Sequence, residues 1–550
     1  MSERPEAESD ANRIRAELIV HCVMGGCDDC RVPPKGVRVV GAWIKGEIDL
    51  SGCSSPYALR LFICHLDTVP FLRDAYLHGL YLSGSKTPGI DAQRLRCESN
   101  VQLNRGFEAT GPVTLNGMRI KGQFACTEGK FDGKGARALD LEAAIIEADV
   151  LLREGFSASG TVAANRARIG GGVSCLGGSF DGRGSPALET QAAEIGADVF
   201  LTNGFEARGV VDLQRAQIKG NLQCHGGTFS GGLVGAAMKV SAGFFLRDLK
   251  AFSGPLYLTD AEIGRLEDDL SAWEQAEALY LSGFRYKRLG GNMRVSDRLR
   301  QLDRVAQHNI AHPKPRNGSW IAEKLIETRP NNRPSFDPQP YSQLAKVLRE
   351  QGKASDAARV LEARDHRLAT TAYDRAIVQF DGSRGAFLRF LWAPFGLFFS
   401  RAFGWIFGYG HKPARSLIWV IALLLCTASF YNTVWNAGQF APTSDVVLAS
   451  QPWIDAVVAH ETDPSQPMPL QAWLKTPSAQ DYESFSHWLY AFDVFIPLDA
   501  LGQETAWAPS PARGDLGWWG FYLKPVIQIA GWVITAIGAA AVAGLVGKRD

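Results

Sequence analysis

Cys22, Cys27 and Cys30, with His21 beside the first, are the densest set of soft donor atoms in the chain. Thiolates and imidazole bind zinc, and C-x4-C-x2-C spacing in a reducing compartment can supply the donors. The second C-x-x-C half that structural zinc sites usually carry is missing. Residues 1–33 therefore read first as a cap and second as a zinc site at Cys22, Cys27 and Cys30. Cys27-Asp28-Asp29-Cys30 also has the spacing of a redox pair, but Arg31-Val32-Pro33-Pro34 follows where such a pair needs a helix. His308 and His312 stand four apart, as on a metal-binding helix, without acidic or cysteine partners nearby. Cys126, Cys175 and Cys224 recur at a constant step of 49 residues. A buried thiol packs as a small hydrophobe, so packing is their expected role. No phosphate-cradling glycine loop, nucleophile elbow or paired-carboxylate motif is recognisable in the sequence. The expectation is a protein without a catalytic site and with no cofactor other than the zinc of that second reading.

The cysteine step belongs to a repeat. RGFEATGPVTLNGMRIKGQFACTEGKF from Arg105, EGFSASGTVAANRARIGGGVSCLGGSF from Glu154 and NGFEARGVVDLQRAQIKGNLQCHGGTF from Asn203 align without gaps. Phe107, Phe156 and Phe205 form one column, Ile120, Ile169 and Ile218 another, and Phe131, Phe180 and Phe229 a third. Inside a unit, apolar residues pair two apart, as in Val211·Leu213, Ala216·Ile218 and Leu222·Cys224. Side chains two apart share one face of a strand, and the five- or six-residue steps between pairs suit a strand, a tight corner and the next strand. One 49-residue unit thus holds two coils of about four faces each, stacked as a solenoid in which each coil touches its neighbours. Gly122, Gly171 and Gly220 share one corner and are expected to have positive φ there. Weaker coils extend the pattern over residues 34–266.

These pairs resemble the pentapeptide-repeat proteins, which implies a right-handed quadrilateral parallel β-helix. The coil pattern G-F-x-A-x-G-x-V-x-L…I-x-G-x-L-x-C-x-G also resembles a group of bacterial membrane proteins often labelled membrane-associated oxidoreductases.

After residue 266 the spacing becomes helical, giving a connector over 267–380. It contains a hairpin similar to one tetratricopeptide unit, with Leu344, Val347, Leu348, Ala357, Ala358 and Leu361 apolar and Gly352 as a C-cap. Residues 381–415 include the apolar but arginine-bearing stretch 387–407, read as lying on the inner leaflet. Residues 416–435 carry no charge and would span ~30 Å as a helix. A second span, 526–546, lies within a segment 523–550 that ends in a cytoplasmic tail. Ala536, Ala540 and Gly544 make a small-residue stripe on that span, which permits helix packing and homo-oligomers. Between the spans, the loop 436–522 has ten acidic residues against Lys475 and Arg513 alone. With Arg401, Lys412, Arg415, Lys548 and Arg549 flanking the spans, the positive-inside rule places both termini in the cytoplasm and the loop outside. The N-terminus has no apolar central run of a signal peptide, which agrees, and the ten cysteines are expected to stay reduced.

Within the loop, Tyr490-Ala491-Phe492-Asp493 and Leu501-Gly502-Gln503, with Trp507 after them, resemble the same bacterial group. The aromatic stretch from Tyr482 to Leu498 reads as a partly buried interfacial helix. A similarity to the pore helix of two-span channels is weakened by the missing Thr-x-Gly-Tyr-Gly filter. A net charge of +1 argues against a nucleic-acid partner. The sequence therefore predicts a membrane-anchored scaffold or sensor of the bacterial inner membrane, with the bilayer and a protein bound on the β-helix as partners. A channel-like protein gated by the cytoplasmic domain is the alternative, and the oxidoreductase label a further one.

Overall fold

The computed structural model describes residues 4–27, 31–308, 336–378, 384–411, 414–496 and 501–542. The chain divides into two compact units, Met1–Val378 and Gln379–Asp550.

The first unit is a parallel β-solenoid of about 11 turns. Four series of short strands recur turn after turn, so that Arg96 lies beside Arg119, Val101 beside Phe124, Glu108 beside Lys130 and Val113 beside Leu139. Arg119 pairs with Ile145, Ile145 with Arg168 and Arg168 with Glu194, so steps of 26 and 23 residues alternate and together make the 49-residue unit. The longer turns carry extra residues in the loops 132–137 and 181–186, at one corner.

The reason the period is two turns lies inside the solenoid. One turn presents Phe107 and Ala109 inward, and the next presents Gly129 and Phe131. A Cβ on Gly129 would sit 2.8 Å from the Phe131 ring, and Gly178 and Gly227 stand at 2.9 Å from Phe180 and Phe229. Large and small residues thus exchange places from turn to turn. The phenylalanines, two columns in the sequence, become one column of seven rings from Phe107 to Phe252 with centroids 5.1–5.8 Å apart. Removing each such ring from water contributes about 1.5–3 kcal/mol. Leu103, Cys126, Leu152, Cys175, Leu201, Cys224 and Leu246 alternate in the same way, all buried.

The corner glycines correct the expectation. Gly122, Gly171 and Gly220 do not have positive φ. Their need is space: a Cβ would meet Asn100 Oδ1 at 2.1 Å, Asp149 Oδ1 at 2.2 Å and Asp198 Oδ1 at 2.1 Å. Those oxygens accept the backbone N–H of Gln123, Gly172 and Asn221, the last continuing the ladder to Gly243. One column of left-handed corners runs elsewhere, through Arg94, Gly117, Ala143, Arg166, Ala192, Arg215, Ala237 and Asp260.

Strands extend beyond 34–266, from Arg13–Arg15 to Arg285–Leu289. Inward Leu279, Leu281, Phe284 and Tyr286 keep the alternation going where helical spacing was expected. At the first end the helix Ala16–Val23 buries Ala16, Ile19 and Val23. At the other end, Asp268 and Arg298 form a buried two-point ion pair, with 2.8 and 3.0 Å contacts, and Trp273 Nε1 donates to Asp268 at 2.8 Å. This pair ties the helix Val295–His308 to the last turns.

The expected helical hairpin is present as Gln339–Glu350 and Ala354–Val378, with Gly352 at φ +78° between them. It closes the solenoid edge. The side-chain amides of Gln339, Gln343 and Gln351 donate to the carbonyls of Phe284, Tyr286 and Leu289 at 3.1, 2.7 and 2.8 Å. Unpaired strand edges invite association, and these glutamines occupy one.

In the second unit the helix Arg384–Phe407 carries Pro394 and exposes Trp392, Phe395, Phe398, Phe399 and Trp405. Among the described residues one helix, Leu417–Asn436, is long and apolar enough to cross a membrane. The expected second span is helical within Asp515–Val542, and its remaining residues lie outside the described ones. Among the described residues, one span therefore stands on length and composition. Between these helices a small core is built on Phe440, Trp453, Trp473, Tyr490 and Trp507, with Phe440–Pro442 and Trp507–Pro509 paired antiparallel.

Candidate functional site

The strand series ending in Ile120, Ile146, Ile169, Ile195 and Ile218 turns those isoleucines inward and displays two columns outward. The first column runs Ile145, Arg168, Glu194, Gln217, Lys239, Glu262, Arg285. The second runs Glu147, Gly170, Gly196, Lys219, Ser241, Gly264, Lys287. Gly170, Gly196 and Gly264 have no alternative there, because a Cβ would come within 2.0–2.2 Å of a carbonyl oxygen of the preceding turn. Bare backbone between longer side chains makes a groove along the solenoid axis, of about 480 Å³. It runs on past Lys239 and Ser241 into a crevice of about 570 Å³, walled by Gln343, Lys346, Val347 and Glu350 of the capping helix. Seven strands at ~4.8 Å make the whole ~29 Å long.

Charge in the groove is partly self-neutralised. Arg168 lies 3.9 Å from Glu194 and Lys239 lies 3.6 Å from Glu262. Lys219, Arg285, Lys287 and Lys346 are exposed and form no ion pair among the described residues.

The strand series two along in each turn shows how chain can lie on this solenoid. The N-terminal segment places Glu8 3.2 Å from Lys45 and Arg4 2.9 Å from Glu108. Arg4 Nη1 also donates to the carbonyls of Gly84 and Gly106, each at 3.4 Å. Four residues thus step along the axis across three strand spacings. Beneath them His65 stacks on Trp43 at 3.7 Å. Burial, then the charges of Lys86 and Arg4, hold the His65 pKa below its ordinary value.

Cys22 is a half-buried free thiol on the first helix, Cys27 is disulfide-bonded, and Cys30 lies outside the described residues. Full reduction of the ten cysteines therefore does not hold at Cys27, which in this state offers no thiolate to a metal. Among the described residues no three His, Cys, Asp or Glu side chains are grouped to hold a metal ion. His308 ends a helix and His312 lies outside the described residues. Cys126, Cys175 and Cys224 are wholly buried; desolvation pushes the Cys175 thiol up to about 12 and raises the other two as well. Thiols held so far from ionisation are inert packing. Ala536 is exposed on its helix, the side chain of Ala540 is not described, and Gly544 lies outside the described residues.

The loop motif forms a fold-locking network. Asp493 accepts the backbone N–H groups of Leu501 and Glu504 at 3.1 and 2.8 Å. Gln503 bridges Ser486 N and Ser484 O, and Trp507 Nε1 reaches Glu483 O at 2.9 Å. The helix His487–Phe495 buries Tyr490, Asp493 and Val494 and exposes Trp488, Leu489 and Phe492, as a half-buried helix should.

These features define a repeat protein of the parallel β-solenoid class. No family model, curated protein or solved structure matches the chain.

Proposed function

We propose that the protein is a membrane-anchored, non-enzymatic scaffold or sensor whose solenoid, a right-handed quadrilateral β-helix, binds a protein partner at the cytoplasmic face of the bacterial inner membrane. The observation that carries this reading is the groove from Ile145 to Lys346, a continuous charged surface on a rigid repeat. Repeat solenoids commonly bind along such extended surfaces. The anchor rests on Leu417–Asn436, and on the exposed Val526, Ile529, Trp532 and Val533 of the last helix, which suit acyl chains better than water.

Photo-cross-linking in cells tests it. A cross-linker at Gln217, in the groove, should give a discrete adduct in the membrane fraction, and one at Ser179, on another face, should not. Recovery of the full chain in the soluble fraction, or equal adducts from both positions, would overturn the reading.

A further inference from the structure

We infer that the groove binds an extended acidic peptide segment, with carboxylates four residues apart seated on Lys219 and on the Arg285, Lys287 and Lys346 cluster. This deepens the scaffold reading and rests on it.

Three observations converge. The first is charge. Arg168 and Lys239 are ion-paired to Glu194 and Glu262, whereas Lys219, Arg285, Lys287 and Lys346 form no ion pair among the described residues, although Arg285 stands opposite Glu262 in the strand register. Six basic residues, Arg168, Lys219, Lys239, Arg285, Lys287 and Lys346, line the groove against Glu147, Glu194, Glu262 and Glu350. An anionic occupant is the complement.

The second is spacing. Lys219 and Lys287 occupy one outward column, separated by Ser241 and Gly264, so three strand steps of ~4.8 Å place them ~14 Å apart. An extended peptide rises ~3.4 Å per residue, so side chains at i and i+4 cover the same ~14 Å on one face. The groove's ~29 Å accommodates about nine residues.

The third is precedent within the molecule. Glu8 and Arg4, also four residues apart, meet Lys45 and Glu108 across three strand steps of another face. The solenoid therefore already holds a peptide lengthwise by ion pairs at this interval. In the groove the column charges are basic, which asks for acidic residues in the peptide. The glycines at 170, 196 and 264 leave the floor open for its backbone.

The test uses the full chain in neutral-lipid nanodiscs and a fluorescent nine-residue peptide with glutamates at positions 1, 3, 5, 7 and 9. Fluorescence anisotropy should show binding that weakens about 10-fold in Lys287→Glu/Lys346→Glu and in Lys219→Glu, and about as much in roughly 0.5 M salt. Lys130→Glu, on another face, should leave it unchanged, and Lys287→Gln/Lys346→Gln should give an intermediate loss. Circular dichroism of each variant confirms the fold. No binding at about 100 μM peptide, equal binding by the Lys287→Glu/Lys346→Glu variant, or tighter binding of an oligonucleotide or of anionic vesicles would overturn the inference. If Gln217 still yields its cross-linked partner while the acidic peptide fails, the scaffold reading stands and the peptide chemistry falls.

Discussion

Gly171 lies against Asp149 of the neighbouring turn, whose Oδ1 would stand 2.2 Å from a Cβ. A glycine recurring every 49 residues suggests a backbone angle that other residues avoid. In the solenoid it is instead the close approach of Asp149, one turn away, that leaves no room for a Cβ. Sequence spacing marks the column but is blind to what crosses it from the neighbouring turn. Conversely, Arg94, Ala143, Arg166 and Ala192 hold left-handed corners in a column where glycine appears only at some turns, as at Gly117. The two explanations separate in a double-mutant cycle. Gly171→Ala should cost about 1–3 kcal/mol in chemical denaturation, as overpacking does. In an Asp149→Ala background, where Oδ1 is gone, the same substitution should cost less, although Ala148 C at 2.8 Å and Asp149 N at 2.9 Å still crowd the Cβ. Equal costs in both backgrounds would mean that the backbone, not the carboxylate, demands glycine. The inward cysteines belong to the same scale: their register was legible, and their burial gives the packing role that the register implied.

At the scale of elements, the hairpin at Gln339–Glu350 was legible as two amphipathic helices, but its work was not. Gln339, Gln343 and Gln351 look like a solvated polar face in a linear pattern. They become edge donors only once Phe284, Tyr286 and Leu289 are known to end a sheet. That ending was misplaced, because the alternation weakens after Leu266 while the strands persist to Leu289. The groove was hidden for a related reason. Its outward columns keep no constant residue type along their length, and only the register of the strands lines them up. Replacing Gln339 and Gln343 together by alanine should strand carbonyls at the edge, at about 1–3 kcal/mol. It should also produce concentration-dependent association, since the freed edge can pair with another chain. Light scattering after size exclusion measures this directly. A variant that stays monomeric with unchanged stability would show that the helix covers the edge by packing alone.

For the whole molecule, the two compact units have opposite solvent requirements. Met1–Val378 buries its apolar columns within the solenoid and shows charged residues outward, whereas Gln379–Asp550 leaves Trp392, Phe398, Ile418, Ile529 and Trp532 exposed. Each residue of that kind left in water forgoes about 1.5–3 kcal/mol of burial, a loss that the proposed membrane anchoring of the second unit would relieve. Solenoid stability is a sum of local turn and neighbour terms, which makes the first unit independent of the second. Residues 1–378 expressed alone should therefore be soluble and monomeric, with a β-dominated circular dichroism spectrum and cooperative thermal unfolding. Residues 379–550 should sediment with membranes and resist extraction by alkaline carbonate. If residues 1–378 aggregate, or if residues 379–550 wash off, the division of labour between a water-stable repeat and a lipid-held anchor is wrong. The membrane placement of the groove would then fail with it, because a peptide-binding face gains its local concentration at the bilayer only through that anchor.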